Sequence, residues 1–284
     1  MTDKKELFKK VRKNFISFSP GSAEKIGRFY VRFLLPFLPA RLFAVKKMIG
    51  EYGPFLFHPR FFFRDFSSWG IERNVDFRVS VEECRGKKCV IDIGAHIGLV
   101  SIPVSSVLGE GGMLYSFEPA DFDRHYFSEN VRLNAFRNVD INDYLVGKEY
   151  KENVDFYQQM DESGVSSVVI HNKRPERYVK KLKTQISIDK FCADKGLKPD
   201  VIKIDAEGNE FDILEGAKET LKQSKPVLFI SLHGGHLTEL GRDISEIYEI
   251  AENLNYSFTY INGTSVPPEK LRTAEYVMRP QKVI

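Results

Sequence analysis

The stretch CVIDIGAHIGLVS, Cys89–Ser101, constrains this chain more than any other. A strand-forming run ends at Gly94, and a second glycine, Gly98, opens a helix-forming run. A buried strand that turns through glycine into a helix is the joint of a parallel sheet covered by helices. Such sheets bind ligands outside the carboxyl ends of their strands. The same alternation continues along the chain. Strands are expected at 89–93, 113–117, 139–143, 200–205 and 226–233, and helices at 98–108, 123–134, 188–195, 210–223 and 244–254. Residues 153–188 interrupt it with short strand-like runs and read as a β-rich insertion. The closing segments YSFTYI and EYVMR, with the Asn262-Gly263 turn signal between them, read as an antiparallel hairpin.

A dinucleotide loop requires G-x-G-x-x-G so that the backbone can approach a pyrophosphate. Counting from Gly94, the second glycine position holds His96 and the third holds Leu99. Asp92, two residues before Gly94, is a poor neighbour for a pyrophosphate and suits a cofactor that carries positive charge. S-adenosylmethionine (SAM) has a sulfonium and an ammonium and no phosphate. Asp92, Gly94, Ala95, His96 and Gly98 are therefore expected to hold SAM. Asp92 would face its ammonium, Gly94 give it room, and Gly98 make the tight entry into the helix. His96 reads as a packing or backbone-bonding residue of this loop, not as a catalyst. SFEP puts Glu118 at the end of the second strand, where a carboxylate can accept ribose hydroxyls. Nicotinamide enzymes use the same device, so Glu118 alone does not separate the two cofactors. Asp143 ends the third strand and is expected to reach the adenine amino group.

The fourth strand runs into VIKIDAEGNE, which places Asp205, Glu207 and Glu210 beyond its end. The fifth runs into ISLHGGH, which places His233 and His236 beside them. At these motifs the chain resembles the FkbM family of SAM-dependent methyltransferases. IDIGAHIG, SFEP, DYLVG, SIDKFC, LKPDVIKIDAEGNEFDILEGAKETL and KPVLFISLH follow in family order over roughly residues 75–235, with RDFSSW a further match upstream. The resemblance implies a Rossmann-like class I methyltransferase with a seven-stranded, mostly parallel α/β sheet. It also implies O-methylation of a sugar, glycan or other small hydroxylated molecule. Family members often carry Glu two residues before the histidine of the fifth strand, and Ser231 stands there in this chain.

Methyl transfer from a sulfonium is an in-line displacement, and an alcohol nucleophile is helped by a positioned base. His233 titrates in a suitable range for that base. Asp205 would orient it or bind the acceptor hydroxyl, and Glu207 is a second candidate for either role or a cap for its own helix. Asp205, Glu207, His233 and His236 also offer donors to a hard divalent cation, although the leading expectation assigns no metal. Two other classes compete: a non-catalytic SAM-fold protein recruited by a basic arm, and a nicotinamide-dependent oxidoreductase, which the missing glycines disfavour.

Charge is unevenly placed. The first 50 residues carry 12 Lys and Arg against 3 Asp and Glu, so the rest of this chain of net charge +3 is acidic. Leu7, Phe8, Val11, Phe15 and Phe18 recur at helical spacing among the basic residues. Residues 1–70 are therefore expected to form a basic, aromatic-rich helical arm, and residues 71–284 the methyltransferase domain. The most apolar window, residues 29–45, is interrupted by Arg32, Pro36, Pro39 and Arg41, and a spanning helix needs about 20 nearly uncharged residues. With three cysteines at no metal-binding spacing, the chain is expected in the cytoplasm, with peripheral contact to an anionic inner-membrane surface through the arm. No nucleic-acid partner is expected, because the basic excess lies outside the catalytic domain.

Overall fold

A computed structural model describes residues 39–71, 74–159 and 178–281. The basic helix expected at residues 1–19 lies outside the described residues. The chain first forms helix α1 (Ala40–Phe43), strands β1 (Val45–Ile49) and β2 (Tyr52–Phe57), a 3-10 turn (Pro59–Phe61) and helix α2 (Phe77–Glu83). Alternation then sets in with β3 (Cys89–Ile93), α3 (Ser101–Val107), β4 (Met113–Phe117), α4 (Asp121–Leu133) and β5 (Val139–Asn142). Strands β6 (Leu145–Val146), β7 (Lys151–Gln159) and β8 (Tyr178–Ile186) form a separate sheet in the order β6-β8-β7, which is the expected insertion. Next come α5 (Ile188–Lys195), β9 (Val201–Ile204), α6 (Glu210–Glu215), α7 (Lys218–Ser224) and β10 (Val227–Leu232). Helices α8 (Gly234–Glu239) and α9 (Ile244–Asn253) and strands β11 (Tyr256–Thr259) and β12 (Ala274–Pro280) complete the fold.

Among the described residues, the main sheet has seven strands in the order β11-β12-β10-β9-β3-β4-β5. Of these, β12 runs against its neighbours, inserted between β10 and β11. Strands β3 and β9 are buried along their whole length, as central strands covered on both faces must be. Their register sets Asp92 beside Lys203, two charges inside the sheet. Local signals fix the helices around it. The Ser187 hydroxyl accepts from the Lys190 amide at the start of α5, and Gly196 closes that helix in the left-handed region. Asp243 and Glu246 form a reciprocal capping box at the start of α9.

Two expectations are corrected. The single helix expected at 210–223 is two helices, interrupted at Gly216 and Ala217. A Cβ on Gly216 would lie 2.2 Å from the Gly147 carbonyl, so the insertion packs directly against the break. The boundary expected after residue 70 divides segments that share one core. Ile49, Phe57, Phe61 and Phe66 are buried in one cluster with Ile102, Leu114 and Phe127 of the main domain. The free edge of β2 is satisfied as well: the Leu56 and His58 amides donate to the side chains of Asn134 and Asn130 at 2.8 and 2.9 Å. Among the described residues, no helix is long and apolar enough to cross a membrane.

Candidate active site

A cavity of about 950 Å³ opens at the carboxyl ends of β3, β4, β9 and β10. Its walls include Gly94, Ala95 and His96 from the glycine loop, Glu118 after β4, Asp205 and Glu207 after β9, and His233 after β10. The insertion adds Leu145, Val146 and Phe156, and Trp69, Tyr260 and Arg272 stand in the remaining wall. Four strands thus bring together residues more than 130 positions apart.

The glycine loop is shaped by its neighbours more than by a ligand. Gly94 has φ of +83°, and a Cβ there would lie 1.9 Å from the Asp205 carbonyl. The loop needs glycine so that it can lie flat against the chain leaving β9, and the space that results is part of the cavity floor. Gly98 does not line the cavity; a Cβ on it would meet the Phe127 ring at 2.4 Å. The amides of Gly94 and Ala95 both donate to the Phe117 carbonyl, that of His96 to Glu118 Oε2 at 2.7 Å, and that of Gly98 to Ala95. None of these four is available to a phosphate, which is what a dinucleotide loop needs. His96 turns its ring toward Asp123, 3.3 Å away.

Glu118 is buried in the cavity wall, its oxygens accepting from the His96 and Ala120 amides at 2.7 and 2.8 Å. Burial, with the field of Asp123, pushes its carboxyl up to about 8 against the pull of these amides. Asp92 does not face the ligand as expected. It lies behind the loop, 3% exposed and outside the cavity lining, and accepts from the Ser101 hydroxyl at 2.6 Å. It belongs to a buried charge cluster with Lys203, whose ammonium lies 3.1 Å from Asp205 Oδ2. Burial raises the Asp92 carboxyl and works against the Lys203 ammonium; Asp205, Asp76 and Asp92 more than reverse that and hold the lysine charged. Asp143 likewise departs from its expected place. Strand β5 ends at Asn142, Asp143 points to solvent, and Tyr144, Leu145 and Val146 form the wall instead.

Asp205, Glu207 and His233 do converge. His233 Nε2 stands 3.8 Å from Asp205 Oδ1 and 3.6 Å from Glu207 Oε2. Its Nδ1 is 2.8 Å from Oε1 of Glu210, a fully buried carboxylate that also accepts from the Gly208 amide. Glu207 sits at φ of +50°, a turn conformation that sends its carboxylate to His233 and His236, not back to cap α6. Burial alone would lower the His233 ring; the Glu210 hydrogen bond and the three carboxylates overcome it and raise the ring to about 9. His233 is therefore a cation at neutral pH when nothing else is bound, and not the base expected of it. Two groups of this cluster are given no role by the sequence. Lys203 carries a signal, a charge in the middle of the apolar run VIKI, and Glu210, although placed beyond the fourth strand with Asp205 and Glu207, shows only as an acid on an otherwise apolar helix face.

Sheet order, glycine loop and the acid after the second parallel strand define a class I, Rossmann-like methyltransferase. The family model described as the Methyltransferase FkbM domain matches residues 92–258, more than half of the chain, and the chain belongs to that family. Family membership implies SAM as methyl donor. Among solved structures, the chain is similar to the methyltransferase FkbM from Methylobacillus flagellatus KT at 18% identity and a TM-score of 0.44, over 68% of this chain and 44% of that one. An O-methyltransferase from Bacillus cereus in complex with SAH matches at 14% identity and a TM-score of 0.44, covering 72% of this chain and 80% of that one. A putative O-methyltransferase from Klebsiella pneumoniae matches at 12% and 0.43, covering 73% and 80%. No curated protein sequence matches the chain.

Proposed function

We propose that the chain transfers a methyl group from SAM to a hydroxyl of a small polar acceptor, a sugar or glycan being the best fit. The observation that carries this reading is one cavity shared by Glu118 and the Asp205–Glu207–His233 cluster. In the sheet order, β4 and β9 are separated by β3 alone, which sets their ends about 10 Å apart. That span accommodates a cofactor held by its ribose at one end with its reactive methyl at the other. SAM, when bound, supplies an electrophilic methyl on sulfur. Glu118 receives the ribose hydroxyls, Gly94, Ala95 and His96 form the floor, and Tyr144, Leu145 and Val146 offer the apolar contact for the base.

At the other end the chain's own groups act on the acceptor. Asp205 and Glu207 are the proton acceptors for its hydroxyl, and the positive charge at His233 stabilises the oxygen as the proton leaves. Trp69 and Tyr260 present aromatic surface, and Asn262 and Arg272 present hydrogen-bond donors, which together suit a hydroxylated ring. The test is incubation of the protein with methyl-labelled SAM and fractionated small molecules or glycans, read by mass spectrometry. A labelled methyl ether in one acceptor supports the reading, and labelled methyl on nitrogen or carbon, or none on any acceptor, opposes it.

A further inference from the structure

The geometry points to a divalent cation site formed by Asp205, Glu207 and His233, and we propose that this chain binds a first-row metal ion there. One ligand atom from each residue lies within 4.8 Å of the other two. The separations of 3.6 and 3.8 Å from His233 Nε2 to the two carboxylates are too long for hydrogen bonds. They are close to what donors on one ion keep. Donors about 2.1 Å from a common metal lie about 3.0 Å apart at a right angle and about 3.4 Å at a tetrahedral angle. All three residues face the cavity, so further coordination positions stay open to ligands from it.

A second observation comes from behind the ring. Glu210, 0% exposed, fixes His233 by Nδ1 and leaves Nε2 turned to the two carboxylates. A carboxylate holding one imidazole nitrogen while the other faces a metal is the usual outer-shell arrangement, fixing both tautomer and ring orientation. The other oxygen of Glu210, Oε2, is buried with no hydrogen-bond partner among the described residues. A buried carboxylate with an unpartnered oxygen is costly without a positive charge nearby, and a metal ion on the far nitrogen of the ring supplies that charge without a proton on Nε2. Two carboxylates with one imidazole favour Mn²⁺, Fe²⁺ or Zn²⁺ over an all-oxygen ion such as Ca²⁺. A bound metal would take the place of the His233 proton as the positive charge on the acceptor oxygen; that use rests on the methyltransferase reading, and the site's existence does not.

The test is titration of Mn²⁺ into metal-stripped, full-length protein, following the electron paramagnetic resonance signal of the free ion. Binding of SAM is measured on each protein in the presence of EDTA, as an independent check of folding. The expected result is one Mn²⁺ per chain, affinity at least ~100-fold lower in Asp205→Asn and His233→Ala, and about 10–100-fold lower in Glu210→Gln. Glu207→Gln, exposed enough to fold normally, should also lose most of the affinity. No saturable Mn²⁺ binding to the wild type, or equal binding by His233→Ala and Glu207→Gln, overturns the proposal. Mn²⁺ binding without SAM binding would sink the methyltransferase reading and leave the metal site standing.

Discussion

Gly94 and Asp205 lie back to back: the α-carbon of one packs against the backbone carbonyl of the other, with no room for a methyl group between them. This contact ties the glycine loop to the segment after β9 that carries Asp205 and Glu207. Gly94→Ala should therefore damage both ends of the site together. A side chain at φ of +83° meeting backbone at 1.9 Å forces the two segments apart, and strain of this kind costs about 1–3 kcal/mol before any repacking. Chemical denaturation should show a loss of at least that size, and SAM binding should disappear. A variant of wild-type stability and affinity would mean the loop can move without consequence.

Glu118 makes cofactor affinity depend on pH. Its carboxyl is raised from 4.5 to about 8 by burial, so the ligand-free protein holds a proton there at pH 7. Ribose hydroxyls favour the ionised form, and binding should release that proton. Affinity for SAM should rise with pH by up to about tenfold per unit between pH 6 and 8, then level off. The ligand-free fold should behave in the opposite sense, losing stability from this group as pH rises from 4.5 toward 8. Calorimetry at pH 7 in two buffers of different ionisation enthalpy measures the proton directly. Affinity that does not change with pH would place Glu118 away from the ligand.

Among the described residues, Lys203 is the cation set between the buried carboxylates of Asp76 and Asp92 and the carboxylate of Asp205. Lys203→Met should destabilise the fold by about 3–5 kcal/mol at neutral pH, because it leaves those charges uncompensated. The loss should shrink on acidification as the carboxylates take up protons. Asp92→Asn keeps an acceptor for the Ser101 hydroxyl and should cost less stability. It should leave SAM affinity nearly unchanged, since Asp92 is not on the cavity wall. A large loss of affinity without loss of stability in Asp92→Asn would contradict this placement.

Asp205→Asn separates binding from chemistry. The amide keeps the shape but accepts no proton, so kcat should fall about 10²–10⁴-fold while affinity for SAM, which is set at Glu118 and the loop, stays close to wild type. Single-turnover kinetics and equilibrium binding on the same preparation give both numbers. An equal loss in both would make Asp205 a cofactor ligand.

Strand ends were the legible part of the site. Glu118 could be placed because a strand end fixes where its next residue stands, and Asp205 and His233 could be placed for the same reason on neighbouring strands. Asp92 could not. In a strand buried on both faces, period-two alternation no longer says which face a residue takes, and only the register with Lys203 shows it. The Glu210–His233 pair spans 23 positions and depends on how α6 docks under β10. Asp143 stands one residue past the end of β5 and faces solvent, while its neighbour Tyr144 lines the cavity, a difference of one position that the sequence pattern does not resolve. Charge and aromatic content suggest a boundary at residue 70, whereas Phe57, Phe61 and Phe66 pack into the domain core.

Calorimetric titration of SAM into the folded wild-type chain, with NADH as the comparison ligand, decides which cofactor the cavity takes. Saturable, one-site binding of SAM and of S-adenosylhomocysteine is expected, and none of NADH. SAM affinity should also be weakened by about 1–3 kcal/mol in Glu118→Ala. Folded protein that binds NADH and not SAM, or neither, would contradict the assignment of SAM to this cavity.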